Sequence, residues 1–306
     1  MEPATLCATT EFPDDIDPGA LDTGALEKLI AQQPDCMPAH FLRGYAEFDD
    51  ESADLDAATA YFAQAHSLAP KNAHVLIWLG QAHLMRAAED MSLGDARSGR
   101  TYLEKAVEAD PENLDAKAVL AGFYRGAPWI AGGDIDAAYA LASEIRKRDL
   151  KRGLLEQART LNADGKEQEA LALARSTLQA YPDYAPMAVD YAVLMHQQDD
   201  HAEAHRVLLA ATAGENADLN ALYQLGRTAA LSGKFLNDGR AALERYIARG
   251  DSGENLPIEE AAVFWRLGMI EQHDGKLDAA RSAFERALDF NPAFENAVNA
   301  LRALDD

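Results

Sequence analysis

The sequence is poor in cysteine, and the shortage narrows the kinds of site it can hold. Its 306 residues include only two cysteines, Cys7 and Cys36. Two are too few for a disulfide framework, and neither has the neighbours of a zinc site, so no metal or cofactor is expected. We expect two free thiols, with a single Cys7–Cys36 bridge as the alternative in an oxidising compartment.

Basic residues are also scarce. Lysine and arginine together number 28 against 51 acidic residues, which gives a formal net charge of −23. Because phosphate backbones and anionic membrane surfaces are held by clustered lysine and arginine, this balance rules against nucleic-acid and membrane-surface binding. Residues 1–60 carry fourteen acidic residues against Lys28 and Arg43, so that end should be well solvated.

Long apolar runs are missing. No stretch approaches the ~20 apolar residues that a membrane span needs, so we expect no membrane insertion. The first fifteen residues are acidic where a signal peptide would be basic and then apolar. The expectation is a soluble protein, cytoplasmic if Met1 is the native start and periplasmic or secreted if a leader was removed.

Catalytic signatures are missing as well: the sequence has no GxxxxGKS/T, GxGxxG or GxSxG. The most metal-like cluster is Asp199, Asp200, His201, Glu203 and His205, but its order is His-Ala-Glu-Ala-His and a zincin needs HExxH. We interpret it as a solvated helix start, with both histidines facing outward and both aspartates stabilising the N-terminal helix dipole. A metal site is the weaker alternative.

Alanine and leucine dominate the sequence and favour helix nearly throughout. The clearest repeated unit, residues 261–292, places an aromatic and Leu-Gly on one helix, and Ala, an aromatic, Ala and Pro on the next. These residues are Phe264, Leu267, Gly268, Ala280, Phe284, Ala287 and Pro292. Small residues let two helices approach closely while large ones fill the groove between them. The pattern resembles the tetratricopeptide repeat (TPR).

The same register recurs along the chain, although three units lack the closing proline. The seven repeats span about residues 38–70, 73–111, 114–149, 151–182, 185–216, 219–250 and 261–292. The resemblance implies an all-α, right-handed superhelical solenoid of about seven TPR helix-turn-helix repeats with terminal capping helices, the last at 294–304. We expect one solenoid domain over residues 21–306, preceded by an acidic, proline-containing and disordered segment, residues 1–20.

The resemblance also implies candidate binding residues, because TPR proteins line an inner groove with positions two, five, nine, twelve and thirteen of each repeat. In repeats four to seven the polar and aromatic candidates are Arg152, Arg159, Asn162, His196, Gln197, Asn220, Tyr223, Arg227, Trp265, Gln272 and His273. None is acidic, which predicts a neutral to positive inner wall. The basic run around Arg146–Arg152 would add to it, or would instead cap a helix and pair with outer acids.

The three tryptophans receive different interpretations. Trp78 is expected in the core, and Trp265, one residue after Phe264, is expected to point into the groove. Trp129, in a widened turn, is expected to fold back with Ile130 and plug a gap between repeats. The alternative for Trp129 is an exposed binding anchor.

Together these features predict a non-catalytic adaptor that binds a peptide or helix of another protein in its concave groove. The alternative is a self-assembling scaffold built by end-to-end docking of solenoids. A monomer or weak homo-oligomer is expected. The position-nine residues, among them Gln81, Gly122 and Val193, lack the Lys-Asn-Asn-Lys-Arg clamp of chaperone-tail-binding relatives, so a ligand of that kind is not supported.

Overall fold

The computed structural model describes residues 6–7, 22–48, 54–253 and 256–305. Within them all regular structure is helical, with sixteen α-helices and no strand. The helices are α1 Thr23–Gln32, α2 Met37–Phe48, α3 Leu55–Leu68, α4 Ala73–Glu89, α5 Leu93–Ala109, α6 Leu114–Gly126, α7 Ile135–Arg148, α8 Leu150–Ala163, α9 Glu167–Ala180, α10 Ala185–Gln197, α11 His201–Ala211, α12 Leu219–Ser232, α13 Leu236–Asp251, α14 Glu260–His273, α15 Leu277–Phe290 and α16 Glu295–Asp305. The predicted all-α repeat fold is confirmed. Among the helices described, none is both long and apolar enough to cross a membrane.

The chain divides into two compact units, an N-terminal unit of residues 1–166 and a C-terminal unit of residues 167–306. In the N-terminal unit the helices pack as the pairs α2 with α3, α4 with α5 and α6 with α7, followed by α8. In the C-terminal unit α9 is followed by the pairs α10 with α11, α12 with α13 and α14 with α15, and α16 packs on α15. Each pair corresponds to one predicted repeat. A single solenoid domain over residues 21–306 stays a prediction.

Short polar side chains start the helices and glycines end several of them. The Asn72 and Asp218 side chains accept hydrogen bonds from backbone amides in the first turns of α4 and α12, at 3.1 and 2.9 Å. These bonds satisfy amide groups that have no partner inside the helix. After α14, Gly275 has a φ of 75°, a left-handed conformation that glycine adopts without steric cost.

Close approach of paired helices rests on glycine. A Cβ added at Gly268 would lie 2.3 Å from the Phe284 ring, and one added at Gly80 would lie 2.9 Å from Leu103. Phe284 and Leu103 are themselves fully buried. The predicted contact between the first and second helix of a repeat is therefore present in both units.

A disulfide joins Cys7 to Cys36 at the start of the N-terminal unit. The expectation of two free thiols is wrong, and the alternative is the one found. Leu6 is also buried, in a cluster with Leu26 and Leu29 of α1. The bridge holds the segment that carries Leu6 against the start of α2. The other residues of the predicted disordered segment 1–20 lie outside the described residues.

Candidate functional site

The candidate residues of the C-terminal unit lie on three helices that pack side by side, α10 on α12 and α12 on α14. Four of them, Gln197, Asn220, Gln272 and His273, are exposed. The others are more enclosed: His196 and Tyr223 are buried, and Arg227 and Trp265 are half-buried. Each of these helices is the first helix of its repeat. Together they carry polar groups at the surface and charged or titratable groups beneath it.

His196 is held by one hydrogen bond across the α10–α12 contact. Its Nε2 lies 2.8 Å from Thr228 Oγ1, whose own hydroxyl donates to the Gln224 carbonyl at 2.8 Å. Because that hydroxyl has one proton, His196 Nε2–H must be the donor and Nδ1 carries the lone pair. Nδ1 is buried and has no partner. Burial and the nearby charges of Arg227, His201 and Arg266 lower the pKa of His196 to about 4.

Arg227 carries a charge that the surrounding residues do not neutralise. Its Nη1 donates to Gln224 Oε1, three residues earlier on α12, at 3.1 Å. No carboxylate in the described part of the chain lies within the 4.0 Å of an ion pair with it. Burial lowers the pKa of Arg227, and the positive charge of Arg266 on α14 lowers it further. The two guanidinium groups therefore repel each other.

Arg266 is fixed by an aromatic ring and not by an acid. Its Cζ lies 4.0 Å from the Trp265 ring centroid, and its Nη1 donates to the thioether sulfur of Met269 at 3.5 Å. Its Nε is buried without a partner. Trp265 in turn packs edge-on against Phe294, with 5.8 Å between ring centroids. Trp265 is therefore a half-buried support for Arg266. The sequence reasoning missed Arg266 because it stands at position six of its repeat, outside the positions that were counted.

The candidate arginines of the N-terminal unit are neutralised. Arg152 Nη2 lies 2.5 Å from Asp115 Oδ1, and Arg159 Nη1 lies 3.0 Å from Glu156 Oε1. Glu156 is 2 % exposed and also accepts from Arg125 Nη1 at 2.6 Å. Asn162 is exposed. These ion pairs connect α6 to α8 and give the arginines a structural role.

A family model of the tetratricopeptide repeat matches residues 261–294, the unit formed by α14 and α15. This part of the chain is a tetratricopeptide repeat. The sequence matches no curated protein.

The chain is similar to several solved structures. Yeast Tom70 superimposes with a TM-score of 0.65 at 13% sequence identity, covering 92% of this chain and 57% of Tom70. PilW, a type IV pilus biogenesis factor, gives a TM-score of 0.49 at 18% identity over 75% of this chain and 98% of PilW. Pseudomonas aeruginosa PilF gives 0.46 at 17% identity, covering 75% of this chain and 96% of PilF. The similarity to Tom70 shows the fold alone.

The basic residues at the end of α7 mostly have hydrogen-bond or ion-pair partners. Arg148 Nη2 lies 2.5 Å from Glu112 Oε2, and Arg146 Nη1 donates to Gln157 Oε1 at 3.2 Å. Asp149 caps α8 by accepting from the backbone amide of Arg152 at 3.0 Å. The interpretation in which these residues pair with acids and frame a helix end fits this geometry.

The histidines of α11 do not face outward as expected. The His201 ring lies 5.6 Å from the His196 ring, and His205 stacks on Phe235 at 3.8 Å while its Nε2 lies 2.8 Å from Asp238. The expectation was wrong because the turn after α10 is short, and the start of α11 therefore packs against neighbouring helices. Asp200 lies at the start of α11 as expected, and its side chain accepts from the Glu203 amide at 3.1 Å. Across the described residues, no group of three or more His, Cys, Asp or Glu side chains could hold a metal ion.

Trp129 is exposed on the loop between α6 and α7, the two helices of the third repeat. This ring is 86% exposed and Ile130 is 51% exposed, so the expectation that they plug a gap is wrong. Ala131 takes the buried place instead, at 4% exposure. The turn closes tightly without the large side chains, because the Gly133 amide donates to the Pro128 carbonyl at 3.1 Å. Trp78, in contrast, packs on the core as predicted.

Proposed function

We propose that this TPR protein is a non-catalytic adaptor that holds a segment of another protein against α10, α12 and α14. One observation carries the proposal: the exposed candidates on these helices are amide or imidazole side chains, Gln197, Asn220, Gln272 and His273, in a chain of net charge −23. Such groups both donate and accept hydrogen bonds and therefore suit a peptide backbone. Stacked helix pairs form extended surfaces that suit a long segment.

A binding role agrees better than a catalytic one with the state of the titratable groups. The strongly perturbed histidine, His196, is buried and already donates through Nε2 to Thr228. A general base needs an accessible lone pair within reach of a substrate proton. The buried Nδ1 of His196 does not provide one.

Self-assembly by end-to-end docking is the alternative function. The last repeat is covered by α16, whose Ala297 is fully buried and whose Asp305 pairs with Arg281 at 2.5 Å. A covered end argues against docking at the C-terminal end. Size-exclusion chromatography with light scattering separates the two functions, because a scaffold grows into longer polymers as its concentration rises and an adaptor does not.

Site-specific photocrosslinking in the source cells tests the adaptor. Benzoylphenylalanine at Asn220 or Gln272 on the proposed face should capture the same partner, whereas the reagent at the exposed Glu285 of α15 should not. All three positions are helical and exposed, so labelling should not disturb the fold. Capture of that partner from Glu285 alone would place the binding surface elsewhere, with the Trp129 loop as the next candidate.

We propose further that the protein works in an oxidising compartment, because disulfides persist there and are rare in reducing cytosol. Protein taken from its source should be quenched with acid and alkylated without reduction. Mass spectrometry should then find Cys7 and Cys36 joined and unlabelled. Alkylation of both cysteines would contradict the proposal.

A further inference from the structure

Arg227 and Arg266 have weaker partners than several arginines of their own unit. Arg240 pairs with Glu271 and Asp274 at 2.5 and 2.6 Å, and Arg245 donates to the backbone carbonyls of Thr212 and Gly214 at 2.8 and 2.5 Å. Acidic residues outnumber basic ones in the whole chain, so the sequence holds enough acidic residues to pair with every arginine. Two half-buried guanidinium groups on adjacent helices nevertheless have no acid within ion-pair distance among the described residues.

Most of the hydrogen-bond donors of this arginine pair are unused by the protein. A guanidinium offers five N–H groups. Arg227 directs one of them to Gln224 Oε1, and Arg266 directs one to a thioether sulfur, which is a weak acceptor. Stacking on Trp265 at 4.0 Å orients the plane of the Arg266 guanidinium in advance, so a ligand would find it already oriented.

Buried polar atoms nearby also lack partners. His196 is 8% exposed, and its Nδ1 makes no hydrogen bond. The His201 ring, 5.6 Å from it, has a buried Nδ1 without a partner as well. Arg227 and Arg266, whose charges lower the pKa of the neutral His196, thus form a region of positive potential that the protein does not neutralise.

We propose that Arg227 and Arg266 bind a carboxylate group of the partner segment, with the stacked Trp265 holding Arg266 in place. The proposal rests on the proposed function and adds the chemistry of its ligand, an acidic peptide. Charge complementarity supports it, because a carboxylate would neutralise both guanidinium groups and accept bidentate hydrogen bonds from either. A long polyanion fits poorly, since the rest of this acidic chain would repel it.

Sodium acetate is the simplest probe, with histidine NMR as the readout. A bound carboxylate should raise the pKa of His196 from about 4, because it opposes the charges of Arg227, Arg266 and His201 that help to lower it. The variant His196→Gln identifies the signal. At constant ionic strength and about pH 6, where acetate is ionised, acetate should shift the signal to saturation, and Arg227→Met with Arg266→Met should abolish the shift. An unchanged signal, or an equal shift in the double variant, overturns the proposal.

Two labelled peptides then test the source of the carboxylate by fluorescence anisotropy. One contains Leu-Glu-Glu-Leu-Glu and is amidated at its C-terminus, and the other contains Gln for Glu and has a free C-terminus. We expect the amidated acidic peptide to bind, with about a tenfold loss for each single arginine variant, as for a charge-assisted hydrogen bond. Arg281→Met, which removes the exposed pair with Asp305, is the matched control and should leave affinity unchanged.

Each outcome of the peptide experiment decides one point. One result is that only the peptide with the free C-terminus binds and that the double variant loses this binding. This result would keep the carboxylate site and would identify its ligand as the C-terminal carboxylate of a partner chain. Equal binding of the acidic peptide to wild type and double variant, or no binding to either, overturns the carboxylate site. Crosslinks from Asn220 and Gln272 would still support the adaptor in that case, so the two proposals fail separately.

Discussion

An arginine at position nine of a repeat has one role in the N-terminal unit and another in the C-terminal unit. Arg159 of repeat four and Arg227 of repeat six each contact the residue three positions earlier on the same helix. That residue is Glu156 in the first case, at 3.0 Å, and Gln224 in the second, at 3.1 Å. A carboxylate neutralises Arg159, whereas an amide leaves the charge of Arg227 in place. One side chain therefore decides whether the arginine stabilises the fold or stays available to a ligand.

The largest expected effect comes from removing the acid of the N-terminal unit. Glu156→Gln would leave Arg125 and Arg159 without the buried carboxylate that joins them. Removing one partner of a buried ion pair costs ~3–5 kcal/mol, so the free energy of unfolding in urea should fall by about that amount. Glu112→Gln, at an exposed pair with Arg148, is the control and should cost about 0–1 kcal/mol. Equal losses would show that the burial of Glu156 does not matter.

Covalent support also separates the two units, because Cys7–Cys36 belongs to the N-terminal one. The bridge spans 29 residues of sequence, and chain-entropy arguments give a loop of that size a contribution of ~3.6 kcal/mol. Reduction should therefore lower hydrogen-exchange protection in α1 and α2 and leave α12 and α14 protected. Uniform loss of protection along the chain would contradict a local effect.

The repeat register could be predicted because it depends on local spacing. Gly268 and Phe284 lie sixteen residues apart, and their contact is set by two helices and the turn between them. The same short-range logic predicted that a helix starts at Asp200. Patterns of this length are enough to predict the fold of a repeat protein, because each repeat contacts mainly its neighbours.

The candidate site could be predicted only in part, because charge pairing depends on contacts between repeats. Arg125 and Glu156 are 31 residues apart, and nothing near either one in sequence indicates their ion pair. The lack of an acidic partner for Arg266 likewise appears only when the residues around α14 are placed. The exposure of Trp129 depends on the backbone of a single turn, which helical periodicity does not describe.

Acid should destabilise the C-terminal unit through His196. Its pKa is lowered to about 4 in the folded protein and is near 6.5 when unfolded, so the unfolded chain binds the proton first as pH falls. Stability present above pH 6.5 is then lost toward pH 4, by about 2 kcal/mol between pH 7 and pH 5. Burial also lowers the pKa of His66, which adds a loss in the N-terminal unit. The variant His196→Gln should remove the acid-induced loss of stability in the C-terminal unit only. Hydrogen exchange measured at pH 7 and pH 5 would show this.

The smallest change in stability should come from the substitution that gives Arg227 an acidic neighbour, as Arg159 has. Gln224→Glu would place a carboxylate next to Arg227, as Glu156 lies next to Arg159. An ion pair three residues apart on a half-buried helix face contributes roughly 0.5 kcal/mol, so the urea midpoint should rise only slightly. Carboxylate binding should nevertheless be lost, because the new acid occupies the donors of Arg227 and repels an incoming anion. Gln224→Met removes the same hydrogen bond without adding charge and should leave acetate binding intact. If Gln224→Glu responds to acetate as the wild type does, the identity of residue 224 does not control the charge of Arg227, and the contrast between the two units has another cause.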